Sequence, residues 1–203
     1  MLDREKRRRY LSEAFHALAQ PITGLQCGLE VAIAKPRTET EYKKRIGAAL
    51  EVTSTFRELA AALRDLTEAD DVGEHPEKLH LPTFFIQLCE SLERLADLHE
   101  TTLMFNCVPP VNVDADCERL LKTLVFLGDQ LLKTEGNVQF TTRDLGLCVE
   151  ITLKETSGEK SSRLRNPESV IRLNAAENYL ETIGGRLSVI PNGYVITLPV
   201  AKV

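Results

Sequence analysis

His16 and Gln20 stand four residues apart in the run His16-Ala17-Leu18-Ala19-Gln20-Pro21-Ile22. On a helix, residues at that spacing share one face, so the imidazole and the carboxamide project side by side. A neutral imidazole presents a nucleophilic nitrogen lone pair near pH 7. Proline inside a helix removes a hydrogen bond and costs about 3 kcal/mol. Pro21, five residues after the histidine, therefore sets this segment apart from ordinary helix. The competing reading is a solvated surface histidine. The other chemistry-bearing residues group less well. His75, His80 and His99 have no ligand spacing, and the five cysteines (Cys27, Cys89, Cys107, Cys117 and Cys148) are odd in number, widely spaced and without a CxxC pair. Neither a zinc site nor a disulfide framework follows from them. Cys27, Cys89 and Cys148 have apolar neighbours in sequence and are expected as buried free thiols, which suits a reducing cytoplasm.

The elements that must position His16 are helices. Leu11, Phe15, Leu18, Ile22, Leu25, Leu29 and Ala32 recur at alternating steps of four and three, a heptad seam that predicts bundle packing. A seam through Phe15 and Leu18 leaves His16 and Gln20 outside it. Lys35-Pro36-Arg37 ends the helix, and Thr38 or Thr40 is placed to cap a second one. There Tyr42, Ile46, Ala49, Val52, Phe56, Leu59, Leu63 and Leu66 supply another stripe. A lone helical hairpin cannot bury both stripes, whereas two copies make a four-helix bundle, so a homodimer is expected.

An acidic stretch over residues 70–76, with Gly73 and Pro76, reads as a linker. Beyond it the period changes. Strands are expected at 78–81, 102–108, 111–113, 137–143, 147–154, 186–190 and 194–200, and helices at 82–98, 118–133 and 167–182. Asp144-Leu145-Gly146 and Asn192-Gly193 read as hairpin turns, and Gly184-Gly185 as a helix C-cap. This predicts helices on one face of a mainly antiparallel sheet. The fold class is thus α plus α/β, with a helical hairpin in residues 1–70 and a two-layer sandwich in 77–203.

The bulk numbers narrow the function. A net charge of −5 argues against nucleic-acid binding, which wants a basic surface. The one basic run, from Arg4 to Arg9, is interrupted by Glu5 and reads as a solvated helix start. No apolar run approaches the roughly 20 residues needed to cross a bilayer. Met1 leads straight into charged helix, so neither a signal peptide nor a further domain ahead of the helices is expected.

The run from His16 to Ile22 resembles the H-box of histidine kinases, in the subgroup that reads His-Glu-Leu-Asn-Gln-Pro-Leu. The histidine, leucine, glutamine and proline coincide. The order of parts also resembles a histidine kinase core over nearly the whole chain: a dimerisation and phosphotransfer hairpin, then an ATPase domain of the Bergerat or GHKL type. The resemblance implies that His16 is a phosphoacceptor. It also implies that Gln20, four residues on, can orient a water toward a receiver's phosphate. Where the family carries an acid as general base, this chain has Ala17.

The family's nucleotide boxes are missing one by one. Thr123 and Leu127 fall where the family has asparagines, and an alkyl chain at 127 cannot ligate Mg²⁺. Glu155, Ser157 and Glu159 stand at the Asp-x-Gly-x-Gly places, and Val170-Ile171-Arg172 at the Gly-x-Gly. The backbone approach that glycine allows is lost. Residues 158–165 correspond to the ATP lid. Ile183-Gly184-Gly185-Arg186-Leu187 resembles the family's closing His-Gly-Gly-Arg-Ile.

The expectation is a histidine phosphotransferase of a two-component phosphorelay. It would exchange phosphoryl groups between His16 and response-regulator receiver aspartates without binding ATP. It would need no cofactor of its own, the receiver supplying Mg²⁺. Expected partners are receiver domains, a hybrid histidine kinase and a second copy, with no nucleic acid and no membrane. The alternative is a non-catalytic pseudo-histidine kinase that binds a regulator or a kinase, or a response-regulator phosphatase using Gln20.

Overall fold

The computed structural model describes residues 4–36, 38–68, 76–106, 108–133, 136–156 and 167–201. Two 30-residue helices, α1 (Arg4–Ile33) and α2 (Glu39–Glu68), form the hairpin. Thr38 caps α2: the Glu41 amide donates to Thr38 Oγ1 at 3.3 Å, and the Thr38 amide donates back to Glu41 Oε2 at 2.9 Å. This reciprocal capping box satisfies two backbone donors. It selects Thr38 over Thr40, which lies inside the helix.

The hairpin covers only part of each apolar stripe. Leu18, Leu25, Val52, Phe56 and Leu63 are half-buried, and Ala17, Ala32, Leu59 and Ala62 are buried. Phe15, Ile22 and Leu29, seven residues apart, stay 64%, 49% and 49% exposed. The single seam read from the heptads is therefore split between one row packed within the hairpin and one row open to solvent.

The remaining elements are β1 (Glu77–His80), α3 (Leu81–Leu98), β2 (Leu103–Phe105), β3 (Asn112–Ala115), α4 (Cys117–Leu132), β4 (Val138–Asp144), β5 (Cys148–Glu155), α5 (Pro167–Thr182), β6 (Arg186–Ile190) and β7 (Gly193–Pro199). Five strands run in the order β2-β4-β5-β7-β6, and all neighbours are antiparallel except β2 with β4. A separate β1–β3 ribbon joins this sheet's end through the Val113–Val200 bridge and the bond from the Ala201 amide to the Asn112 carbonyl. By contacts, α1, α2 and the first half of α5, to Ala175, form one compact unit; the strands, α3, α4 and the rest of α5 form the other.

α3 and α4 cover one face of the sheet. α3 lays Phe84, Phe85, Leu88, Leu92 and Ala96 inward, and α4 lays Leu120, Leu124, Leu127, Leu131 and Leu132 inward. Each fully buried leucine contributes about 1.5–3 kcal/mol of transfer free energy. α4 starts on Asp116, whose side chain accepts from the Arg119 amide at 3.0 Å. α5 stops in a Schellman motif: the Gly184 amide donates to the Glu181 carbonyl and the Gly185 amide to the Leu180 carbonyl. Gly184 has φ +76°, and a Cβ on Gly185 would lie 2.7 Å from the Thr197 carbonyl oxygen. Both positions require glycine, for different reasons.

Three local expectations change. The β6–β7 turn closes on Pro191-Asn192, since Ile190 pairs directly with Gly193. Gly193 lies within β7, where any side chain would run into the Leu153 carbonyl of β5. The strand expected at 102–108 shortens to three residues, ahead of Pro109 and Pro110, which have no amide for a ladder. Cys27 is exposed, and Cys89 and Cys148 are only half-buried. The apolar neighbours of Cys27 in sequence point to other sides of α1. Cys107 lies outside the described residues.

Candidate functional site

α1 runs unbroken through Pro21. His16 and Gln20 are both exposed, one turn apart, with Gln20 Nε2 at 3.4 Å from His16 Nε2. An amide N–H can only donate. The contact is thus a hydrogen bond when His16 Nε2 carries its lone pair, which puts the ring proton on Nδ1. That tautomer has its nucleophilic nitrogen on the side facing Gln20. At 3.4 Å the bond is long and weak, so the ring is oriented without being locked.

At about 100° per residue, Thr23 and Cys27 continue the same stripe, at steps of three and four below Gln20. Both are exposed, and Thr23 Oγ1 donates back to the Ala19 carbonyl at 2.9 Å. The step pattern 16, 20, 23, 27 was present in the sequence. It carries no apolar period, so hydrophobic patterning does not mark it. Ala19 and Gly24 flank the stripe and are exposed. A Cβ on Gly24 would meet nothing within 4 Å. Ala17 is buried at 8% exposure. It lies about 100° round α1 from His16. The face beside His16 is therefore small, polar and open, and no carboxylate stands next in sequence to the imidazole.

The positions matched to the nucleotide boxes lie elsewhere in the chain and have different surroundings. Leu127 is fully buried on the inward face of α4, and Thr123, one turn earlier, is 9% exposed. Glu155 ends β5 and is buried, its amide donating to the Asn192 carbonyl at 2.9 Å. Val170, Ile171 and Arg172 form regular helix in α5, with Ile171 buried and Arg172 Nε 3.0 Å from Glu168 Oε1. Ser157, Glu159 and the lid segment lie outside the described residues. A nucleotide and its Mg²⁺ do not fit these residues. An alkyl side chain packed in the core ligates nothing, and backbone amides committed to helical bonds cannot cradle phosphate. Among the described residues, no group of three or more His, Cys, Asp or Glu could hold a metal ion.

The other histidines have structural company. His80 Nδ1 lies 3.1 Å from Thr83 Oγ1. His99 Nε2 lies 3.5 Å from Asp129 Oδ1, whose other oxygen is 2.6 Å from Lys133 Nζ. His75 lies outside the described residues. No described helix is long and apolar enough to cross a membrane.

No protein-family model matches the chain. The sensor protein CiaH from two strains of Streptococcus pneumoniae is 28% identical in a 154-residue alignment that covers 71% of this chain. The chain spans 34% of the length of these curated relatives. Among solved structures, the histidine kinase AdeS of Acinetobacter baumannii superposes with a TM-score of 0.64 at 13% identity, over 92% of this chain and 98% of that one. The histidine kinase ThkA, in complex with the response regulator TrrA, gives 0.68 at 16% identity over 98% of this chain and 65% of that one. Full-length ShkA with AMPPNP gives 0.57 at 12% identity, over 97% and 46%. At these identities the likeness shows the fold: a helical hairpin followed by a GHKL-type α/β layer.

Proposed function

We propose that this chain, which has the fold of a histidine kinase core, is a histidine phosphotransferase that passes phosphoryl groups between response-regulator receiver domains and does not bind ATP. The observation that carries the reading is a contrast. His16 and Gln20 stand together on an open helix face, while Leu127, at the place of a Mg²⁺ ligand, is core. Selection for ATP chemistry would keep position 127 polar; selection for phosphotransfer would keep the face around His16.

The transfer needs no base on this chain. The Nε2 lone pair attacks the phosphorus of an aspartyl phosphate. The N–P bond forms as the P–O bond to the carboxylate breaks, and the aspartate leaves with the electron pair. The proton stays on Nδ1. Transfer to a second receiver reverses these steps. Phosphoryl transfer of this kind depends on positioning and on electrostatic stabilisation, and the receiver brings both its Mg²⁺ and its acidic pocket. Ala17, which could not serve an ATP-driven autophosphorylation as base, is no obstacle here. The exposed row Phe15, Ile22 and Leu29 suits closure of a four-helix bundle by a second copy. The cytoplasm suits the free thiols.

The alternative is a non-catalytic scaffold that binds a regulator or a kinase, and Ala17 also favours it. One experiment separates the two. The purified protein is mixed with receiver domains carrying labelled phosphate, and separately with labelled ATP and Mg²⁺. Acid-labile label is expected on the protein from receivers only, and absent in His16→Ala. Retained receiver binding with no label from any source would support the scaffold. Label from ATP alone would overturn the reading.

A further inference from the structure

The outer side of α3 carries a groove that the proposed phosphotransfer does not use. The inward face of α3 is occupied by Phe84, Leu88 and Leu92. A surface helix ordinarily presents charged and polar residues on the opposite side. Here Pro82, Ile86 and Cys89 form an apolar row at steps of four and three, and Val108 from the loop after β2 closes the other wall. The groove has a volume of about 460 Å³. Ile86 is 61% exposed in it, which leaves a β-branched apolar side chain facing water. Glu90 and Glu93 border the row, and each lies four residues from a member of it. No lining residue is basic, and among the described residues neither glutamate is in an ion pair. The Cys89 thiol reports the local field: burial first, then the Glu93 charge, then that of Glu90 push it above the usual thiol range.

We propose that this groove docks a basic amphipathic helix of a partner protein, with apolar side chains seated between Pro82, Ile86 and Val108 and cationic side chains meeting Glu90 and Glu93. Charge selects this occupant. Two unpaired carboxylates beside an apolar floor repel nucleic acid and anionic bilayers alike, and favour a lysine- or arginine-bearing segment. Size points the same way. The volume takes two or three side chains, which is what one face of a docked helix presents, and the open mouth suits a segment entering from the side. The inference is independent of the role assigned to His16, because the groove belongs wholly to the α/β unit and its test involves no phosphate.

The probe is a fluorescein-labelled 16-residue helical peptide with leucines on one face and lysines three residues apart beside them. A twin peptide carries glutamate in place of each lysine. Fluorescence anisotropy with the full chain should show saturable binding of the lysine peptide that weakens as salt is raised, and none of its twin. Glu90→Lys with Glu93→Lys should weaken binding roughly tenfold, the scale of two partly screened ion pairs, and should confer binding of the glutamate peptide. Ile86→Asp should weaken the lysine peptide without altering the thermal melt. That exchange of preference cannot arise from misfolding. Equal binding of both peptides, no saturable binding, or unchanged affinity in the charge-reversed variant would each overturn the proposal. Self-association that competes with the peptide and is lost in Ile86→Asp would also overturn it, by making the occupant a second copy.

Discussion

The side-chain nitrogens of His16 and Gln20 approach to 3.4 Å across one turn of α1, with both residues exposed to solvent. The relationship orients the imidazole and leaves it reachable. An exposed hydrogen bond of that length contributes no more than about 0.5 kcal/mol. Gln20→Ala should therefore change phosphate acceptance by His16 less than about threefold, read from single-turnover transfer off a labelled receiver. A larger loss would mean that Gln20 touches the phosphoryl group itself. Hydrolysis of the receiver's phosphate, measured in the same mixture, should fall if Gln20 orients a water.

Phe15 and Ile22 expose apolar surface on the row that α2 does not cover. Phe15→Asp combined with Ile22→Asp should convert a dimer to a monomer in sedimentation equilibrium. Burying two carboxylates in a bundle seam costs several kcal/mol. The α/β unit should keep its melting transition. A monomeric wild type would remove the bundle from the proposal.

Leu127 is fully buried on α4, so restoring the asparagine found there in the family should damage the core. Leu127→Asn exchanges packed methyls for an unsatisfied amide. The loss should be about 3 kcal/mol in urea unfolding. Titration calorimetry should detect no gain of ATP binding. A stable variant that binds nucleotide would mean that the site is blocked by this residue alone.

Tyr179 donates its hydroxyl proton to the Asp116 carbonyl at 3.0 Å, tying α5 to the start of α4. Burial, and then the nearby Asp116 charge, push its ionisation well above the ordinary tyrosine range. In the unfolded chain it ionises near pH 10. Above that pH the unfolded state binds fewer protons than the native state, so stability falls as pH rises. Tyr179→Phe should remove this part of the alkaline loss. At neutral pH it should cost about 1 kcal/mol, the lower end being favoured because the Asp116 carbonyl also accepts from Leu120. Urea unfolding of both proteins at pH 7 and above pH 10 measures the difference directly.

The sequence alone determined much of this protein, because much of it is set by neighbours in the chain. The hairpin follows from two apolar periods separated by Pro36, and the stop of α5 from Gly184-Gly185, whereas the choice of Thr38 over Thr40 as the cap of α2 came from the structure. The exposure of His16 follows from its phase relative to Leu18. The loss of polar chemistry at position 127 needs only the residue's identity. Tertiary structure decided what periodicity cannot carry. A heptad gives the angle of an apolar residue round its helix but not which neighbour covers it. That is why Leu18 is sheltered while Phe15 is open, and why Ala17 turned inward and Cys27 outward. The parallel pairing of β2 with β4 and the glycine at 193 beneath Leu153 both arise between segments distant in sequence. Their energies depend on contacts that exist only once the chain has folded.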